Sequence, residues 1–328
     1  MQKPIKLAAF LLLLTASAPA FALDCSKAKT PQDKAICTDA AARDADAAMT
    51  KAYQALFERL AEPDRKMLLL SQRLWLRDRT NGCADATGEK LAQCLAQKSL
   101  ERQRFLEGRP ETGPGSGGTL TPIFIETAGR KGYYEIDVTA LKYAPPTSAG
   151  EKLFNAEVDK LLKQVPGGKN DEFGRDMIYS FMIHMRMVYA APQLISAHLE
   201  TYQFAGGAHG NGGASNINID PAKGKILNSG DVFAAPSKEK LDAECLRQIL
   251  KQKAERVPDE KIEGDDLKQL RASIADGLGK LDSWSFSPAG ASVDYDAYAL
   301  GAYAEGAYAC QFTPEFLRPL VKAGFALP

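Results

Sequence analysis

Residues 108–119 read GRPETGPGSGGT, twelve residues with five glycines, two prolines and no large apolar side chain. Such a run sustains neither helix nor strand, so it divides the chain. The 328-residue length also exceeds one domain of about 150 residues. The expected organisation is a leader over 1–22, a helical domain over 23–107, a flexible linker over 108–119 and a second domain over 120–328. The hydrophobic period differs on the two sides of the linker.

Upstream the period is that of a helix. Ala42, Ala45, Met49, Tyr53, Leu56 and Leu60 recur every three or four residues behind a cap at Thr38 or Asp39. Pro63-Asp64 breaks this helix. A second helix is expected to bury Met67, Leu70, Leu74 and Trp75 and to end near Asn81-Gly82, and a third carries Leu91, Leu95 and Phe105. Short connections make neighbours antiparallel, giving a small all-α bundle.

Downstream the period is two. Tyr134, Ile136 and Val138 alternate with polar residues. From Met177 to Tyr189 one face is Met177, Tyr179, Phe181, Ile183, Met185, Met187 and Tyr189, while the other mixes Ser180, His184 and Arg186. A third strand runs from Leu194 to Phe204, and further strands are expected around Val293-Tyr295 and Tyr308-Phe312. Helices are expected over Lys238–Gln252 and Asp265–Leu278, and Thr313-Pro314 opens a short last one. These patterns predict an α+β domain with a mainly antiparallel sheet.

Lys3 and Lys6 precede an apolar stretch from Leu7 to Leu14, and Ala20-Phe21-Ala22 has small residues where a signal peptidase needs them. The expectation is a signal peptide cleaved after Ala22, hence a periplasmic or extracellular protein without a membrane anchor. Six cysteines suit an oxidising compartment. Cys25, Cys37, Cys83 and Cys94 fall early, giving two bridges whose pairing the sequence leaves open. Cys245 and Cys310 fall late and would staple a helix to a strand. The spacing is not that of a zinc module.

Forty-one basic residues against forty-one acidic ones exclude a strongly basic nucleic-acid binder. Residues 23–109 hold 16 Lys and Arg against 13 Asp and Glu, and residues 110–328 hold 23 against 28. There is no nucleophile elbow, phosphate loop, dinucleotide fingerprint or H-E-x-x-H zinc motif. Beyond the leader the histidines are His184, His198 and His209, the first two on polar strand faces with Glu200 near by. Their spacing does not require a metal. The most unusual segment runs from Phe204 to Gly213 with five glycines. Glycines permit backbone shapes closed to other residues and close approach of a partner. Gly206, Gly207, Ala208, His209 and Gly210 are therefore the candidate partner-binding loop. Acids at Asp259, Glu260, Glu263, Asp265 and Asp266 read as a helix start. Tyr295, Tyr298, Tyr303, Tyr308 and Phe312 offer either stacking surfaces for sugars or, as alternating strand spacing favours, core.

Two resemblances add to this. Cys25, Ile36-Cys37, Asp46…Tyr53…Leu56, Gln72-x-x-Trp75-x-x-x-Arg79-x-x-x-Cys83, Cys94-Leu95 and Arg102 make residues 25–106 similar to the LprI lysozyme-inhibitor family. Residues 130–322 resemble the C-terminal domain of RsiV-type anti-sigma factors, which are lysozyme receptors, a domain also found beside peptidoglycan deacetylases. That likeness rests on Tyr134-Glu135-Ile136, Tyr202-x-Phe204-x-Gly206-Gly207-Ala208-His209-Gly210, Asn218-x-Asp220, Asp231-Val232-Phe233, Trp284-x-Phe286 and Tyr298-x-x-Gly301-x-Tyr303. Both imply lysozyme as the protein partner. The resulting expectation is a non-enzymatic envelope protein that needs no cofactor and inhibits lysozyme by placing a loop in or over its cleft. The alternatives are a peptidoglycan-binding module, or an enzyme on envelope polymers using His209 with Asp220 or Glu200.

Overall fold

The computed structural model describes residues 23–128, 134–166 and 178–328. The expected leader over 1–22 and the strand residue Met177 lie outside the described residues.

The chain begins with four helices: α1 (Pro31–Thr38), α2 (Ala40–Arg59), α3 (Asp64–Gly82) and α4 (Gly88–Leu106). Thr30 and Asp33 form a reciprocal capping box on α1, and the Asp39 side chain caps α2 by accepting from the Ala42 N–H at 2.8 Å. Disulfides join Cys25 to Cys37 and Cys83 to Cys94. α2 and α4 bury Met49, Tyr53, Leu56 and Leu95. On α3 the buried residues are Leu68, Ser71, Gln72 and Leu74, a face turned away from the expected Met67 and Leu70. The reason is polar. Arg102 of α4 is buried, and it donates to Gln72 Oε1 at 3.2 Å and Ser71 Oγ at 3.1 Å. A hydropathy period cannot register such a pairing.

The second region is built on a six-stranded sheet in the order β1 (Leu120–Ala128), β2 (Tyr134–Tyr143), β3 (Tyr179–Ala191), β4 (Leu194–Phe204), β5 (Asn211–Asp220) and β6 (Lys225–Ile226). All neighbours are antiparallel except β2 and β3, whose parallel connection contains α5 (Ala149–Leu162). After α6 (Ser229–Val232) come α7 (Lys238–Arg256) and α8 (Gly264–Gly279). The antiparallel sheet β7 (Trp284–Ser287), β8 (Gly290–Tyr295), β9 (Tyr308–Phe312) and the short α9 (Pro314–Leu317) complete the chain. The Cys245–Cys310 bridge ties α7 to β9 as expected.

Period two sorts the large sheet into unlike faces. One face carries Val138, Ile183, Met185, Ala197 and Ile219, which pack with Phe154 and Val158 of α5. The opposite face carries Asp137, His184, Arg186, His198 and Glu200. Helices α3 and α4 cover part of it, with Phe105 and Phe124 meeting edge-to-face at 5.8 Å and Arg77 reaching Glu135 with two bonds of 2.6 and 2.9 Å.

The segment expected to be flexible is hydrogen-bonded to this sheet. Pairing of β2 with β3 ends at Thr139 and His184, leaving later backbone groups of β3 in need of partners. The N–H groups of Glu111, Thr112 and Gly115 donate to Met187, Val188 and Ala190, and the Ala190 N–H returns a bond to Thr112. Gly113 has φ +91, and a Cβ there would meet the Ala190 oxygen at 2.4 Å, so the glycine is required by the close approach.

Candidate functional site

The glycine-rich segment is divided by the structure. Strands β4 and β5 pair as far as Gln203 and Asn211, so Gly212 and Gly213 lie within β5 rather than in the loop. A Cβ at Gly213 would meet the Asp296 carboxylate at 2.8 Å. The remaining residues, Ala205 to Gly210, form the hairpin tip, where Gly206 and Gly207 have φ of +90 and +103. Residues 205–209 are exposed, whereas Gly210 is buried beneath the Tyr202 ring.

His209 is held at this tip by two tyrosines from the connection between β8 and β9. Its ring stacks on Tyr303 at 3.8 Å and 15°. Its Nδ1 lies 3.0 Å from the Gly210 carbonyl oxygen, which can only accept, so Nδ1 carries the proton in the neutral ring. Nε2 then accepts from the Tyr298 hydroxyl at 3.2 Å, while the Tyr303 hydroxyl donates to Gly210 O at 3.1 Å. Tyr298 has φ +74, the one non-glycine residue with positive φ among those described, and is 61% exposed. Such a conformation costs free energy and persists where the surroundings impose it.

Two anchors impose it. Asp296 accepts from the Ala214 N–H at 2.7 Å. Glu305 is bonded by Lys253 and Tyr308, both at 2.6 Å. Burial opposes the charge on Glu305, but these donors outweigh it and hold the carboxyl at about 2. Tyr295, Tyr308 and Phe312 are core, as the alternation predicts, whereas the exposed Tyr298 and the half-buried Tyr303 depart from that pattern.

A second feature is a cleft of about 430 Å³ between α3, α4 and the charged sheet face, lined by Trp75, Lys98, Glu101, His184, Arg186 and Glu200, among others. Asp137 lies 3.1 Å from His184 Nε2; burial works against the imidazolium, yet this carboxylate prevails and raises the His184 pKa. Asn216 donates through Nδ2 to Asp282 O and so turns Oδ1 toward His198 Nδ1, at 3.0 Å. His198 Nε2 faces Glu200 at 3.7 Å, and chiefly this partner holds Glu200 down at about 2. At the inner end, Glu126 of β1 stands opposite Asp137 of β2 and is 3% exposed. Burial, then repulsion from Asp137, push the Glu126 carboxyl up to about 9. Burial lowers Arg102 to about 10, against the attraction of Asp137 and Glu126.

The histidines are therefore dispersed among separate partners. His209 belongs with tyrosines, His184 with Asp137 and His198 with Asn216 and Glu200; Asp220 pairs with Lys223. The acid–base pairings of His209 with Asp220 or Glu200 are not formed. Among the described residues no group of three or more His, Cys, Asp or Glu side chains is arranged to hold a metal ion. The acids from Asp259 to Asp266 lead into α8, with Asp265 and Asp266 in its first turn. Sequence reasoning did not assign Tyr298 to the hairpin tip, because a positive φ at tyrosine leaves no compositional trace.

Motif residues of the helical region have structural duties. Arg79 bonds Asp46 at 2.8 Å and Ser99 at 3.0 Å, and the Arg79 and Arg102 guanidiniums lie 4.9 and 5.7 Å from the Trp75 ring. No described helix is long and apolar enough to cross a membrane.

No curated protein matches the sequence. Among solved structures, a DUF3298 family protein of Pseudomonas aeruginosa is 16% identical with a TM-score of 0.47, covering 64% of this chain and 97% of its own. A DUF3298 family member from Bacteroides fragilis is 15% identical with a TM-score of 0.46, covering 63% and 96%. Residues 25–107, the disulfide-bonded helical region, match the family described as Lysozyme inhibitor LprI.

Proposed function

We propose that this chain is an exported envelope protein that binds lysozyme and inhibits it by occlusion, with Gly206–Gly210 and Tyr298 as the contact surface. Residues 1–22 are read as the export leader, in keeping with the three disulfides. The match of residues 25–107 to a lysozyme-inhibitor family supports the partner class. The observation that carries the site is Tyr298, strained, exposed and hydrogen-bonded to His209 at a glycine hairpin tip.

The chemistry suits such a partner. A glycoside hydrolase of this kind presents two carboxyl groups in an open cleft. A narrow tip whose backbone N–H groups are unhindered by side chains can donate to a carboxylate, while the Tyr298 oxygen, its proton committed to His209, can accept from the protonated carboxyl of such a pair. Fixing His209 between two tyrosines beforehand lowers the ordering cost of binding. The acidic excess over residues 110–328 favours encounter with a basic enzyme.

The test is muramidase inhibition by residues 23–328 against animal-type and bacterial lysozymes. The expected result is inhibition that His209→Ala and Tyr298→Ala each weaken at least about tenfold, with the melting temperature nearly unchanged. Lack of inhibition of every lysozyme class would overturn the reading, and full inhibition by both variants would move the site elsewhere.

A further inference from the structure

The centre of a sheet covered by helices is ordinarily apolar, yet here β2, β3 and β4 place Asp137, His184, Arg186, His198 and Glu200 on the covered face. Docking of α3 and α4 leaves the cleft of about 430 Å³ over Asp137, His184, Arg186 and Glu200, a volume within the range of small-molecule sites. We propose that this cleft is a saccharide site accommodating one or two sugar rings.

The lining favours that class. Asp78, Glu101 and Glu200 supply acceptors, while Lys98, His184 and Arg186 supply donors. A sugar hydroxyl both donates and accepts, so it can use such neighbours in pairs. A polyanion would meet the carboxylates and a polycation the guanidinium and ammonium groups, each unfavourably. Trp75, Phe105 and Met182 add apolar surface for the C–H faces of a ring. Several polar groups are accessible: the Glu200 side chain is 53% exposed and that of Lys98 46%.

This inference does not rest on the lysozyme reading, since the cleft lining includes none of the hairpin-tip residues. The experiment is calorimetric titration of residues 23–328 with a panel of mono- to tetrasaccharides, uncharged, N-acetylated and carboxylated. Intrinsic fluorescence is followed in parallel. The chain has two tryptophans, of which Trp284 is fully buried in the other core and Trp75 lines the cleft.

At least one saccharide is expected to bind and to change Trp75 emission, the change disappearing in Trp75→Phe. Glu200→Gln and Lys98→Met should each weaken binding about tenfold, and Lys98→Met should do so without shifting the melting temperature. No heat from any saccharide would overturn the proposal, as would binding that neither substitution alters. Sugar binding by the unsubstituted protein together with no inhibition of any lysozyme would leave this proposal standing and remove the other.

Discussion

The two faces of the six-stranded sheet solve opposite problems with the same strands. Toward α5 the side chains are Val138, Ile183, Met185 and Ala197, closed by a fully buried Phe154. Toward α3 and α4 they are acids, histidines and an arginine, and the helices close over them incompletely. The first face gains its stability from apolar area removed from water. The second gives up that gain and holds charge where solvent is scarce, which makes its contribution depend on pH.

The comparison can be broken most forcefully on the apolar side. Phe154→Ala should cost about 4 kcal/mol through lost contacts and the cavity left behind, read as a large fall in denaturation midpoint that is the same at pH 5 and pH 8. A cost below about 1 kcal/mol would mean that α5 is not the principal closure of that face.

On the charged side, Glu126→Gln should stabilise. The folded state keeps the Glu126 proton up to about 9, whereas the unfolded chain releases it above about 4.5. Stability is therefore undiminished below the lower value and falls as pH rises between the two. The amide cannot ionise, so it removes this loss. The expected gain is on the order of 2 kcal/mol at pH 8 and small at pH 5, measured as the difference in denaturant midpoints. A gain independent of pH would contradict the assignment.

The smallest effect belongs to the rim. Arg77→Ala removes the two bonds to Glu135 between α3 and β2. Because the Arg77 side chain is 45% exposed, the loss should stay under about 1 kcal/mol and shrink with added salt.

The same contrast explains what could be read from the sequence. Alternation made β2, β3 and β4 legible, and 3.6-residue periodicity did the same for α2, α7 and α8. The first strand escaped because Pro122 reads as a strand breaker, which is tolerated here on a sheet edge. Asn211–Asp220 escaped because its glycines and asparagines resemble a loop, although Asn218 is buried and bonded to the Leu281 and Trp284 carbonyls. The glycine tip was visible in composition. Its tyrosine clamp was not, since it depends on a connection some ninety positions away in sequence. The buried set of Arg102, Glu126 and Asp137 arises only when a helix and two strands from different parts of the chain meet.

The path of residues 111–115 along β3 bears on how the molecule can be dissected. This stretch occupies the lane that β2 vacates, serving the sheet as a short surrogate strand. A truncation beginning at residue 120 would strip the partners from Met187 to Ala190 and expose a raw sheet margin, the kind of surface on which chains self-associate. A fragment of the second region should begin before Glu111, and limited proteolysis should find no early cut between the helices and the sheet.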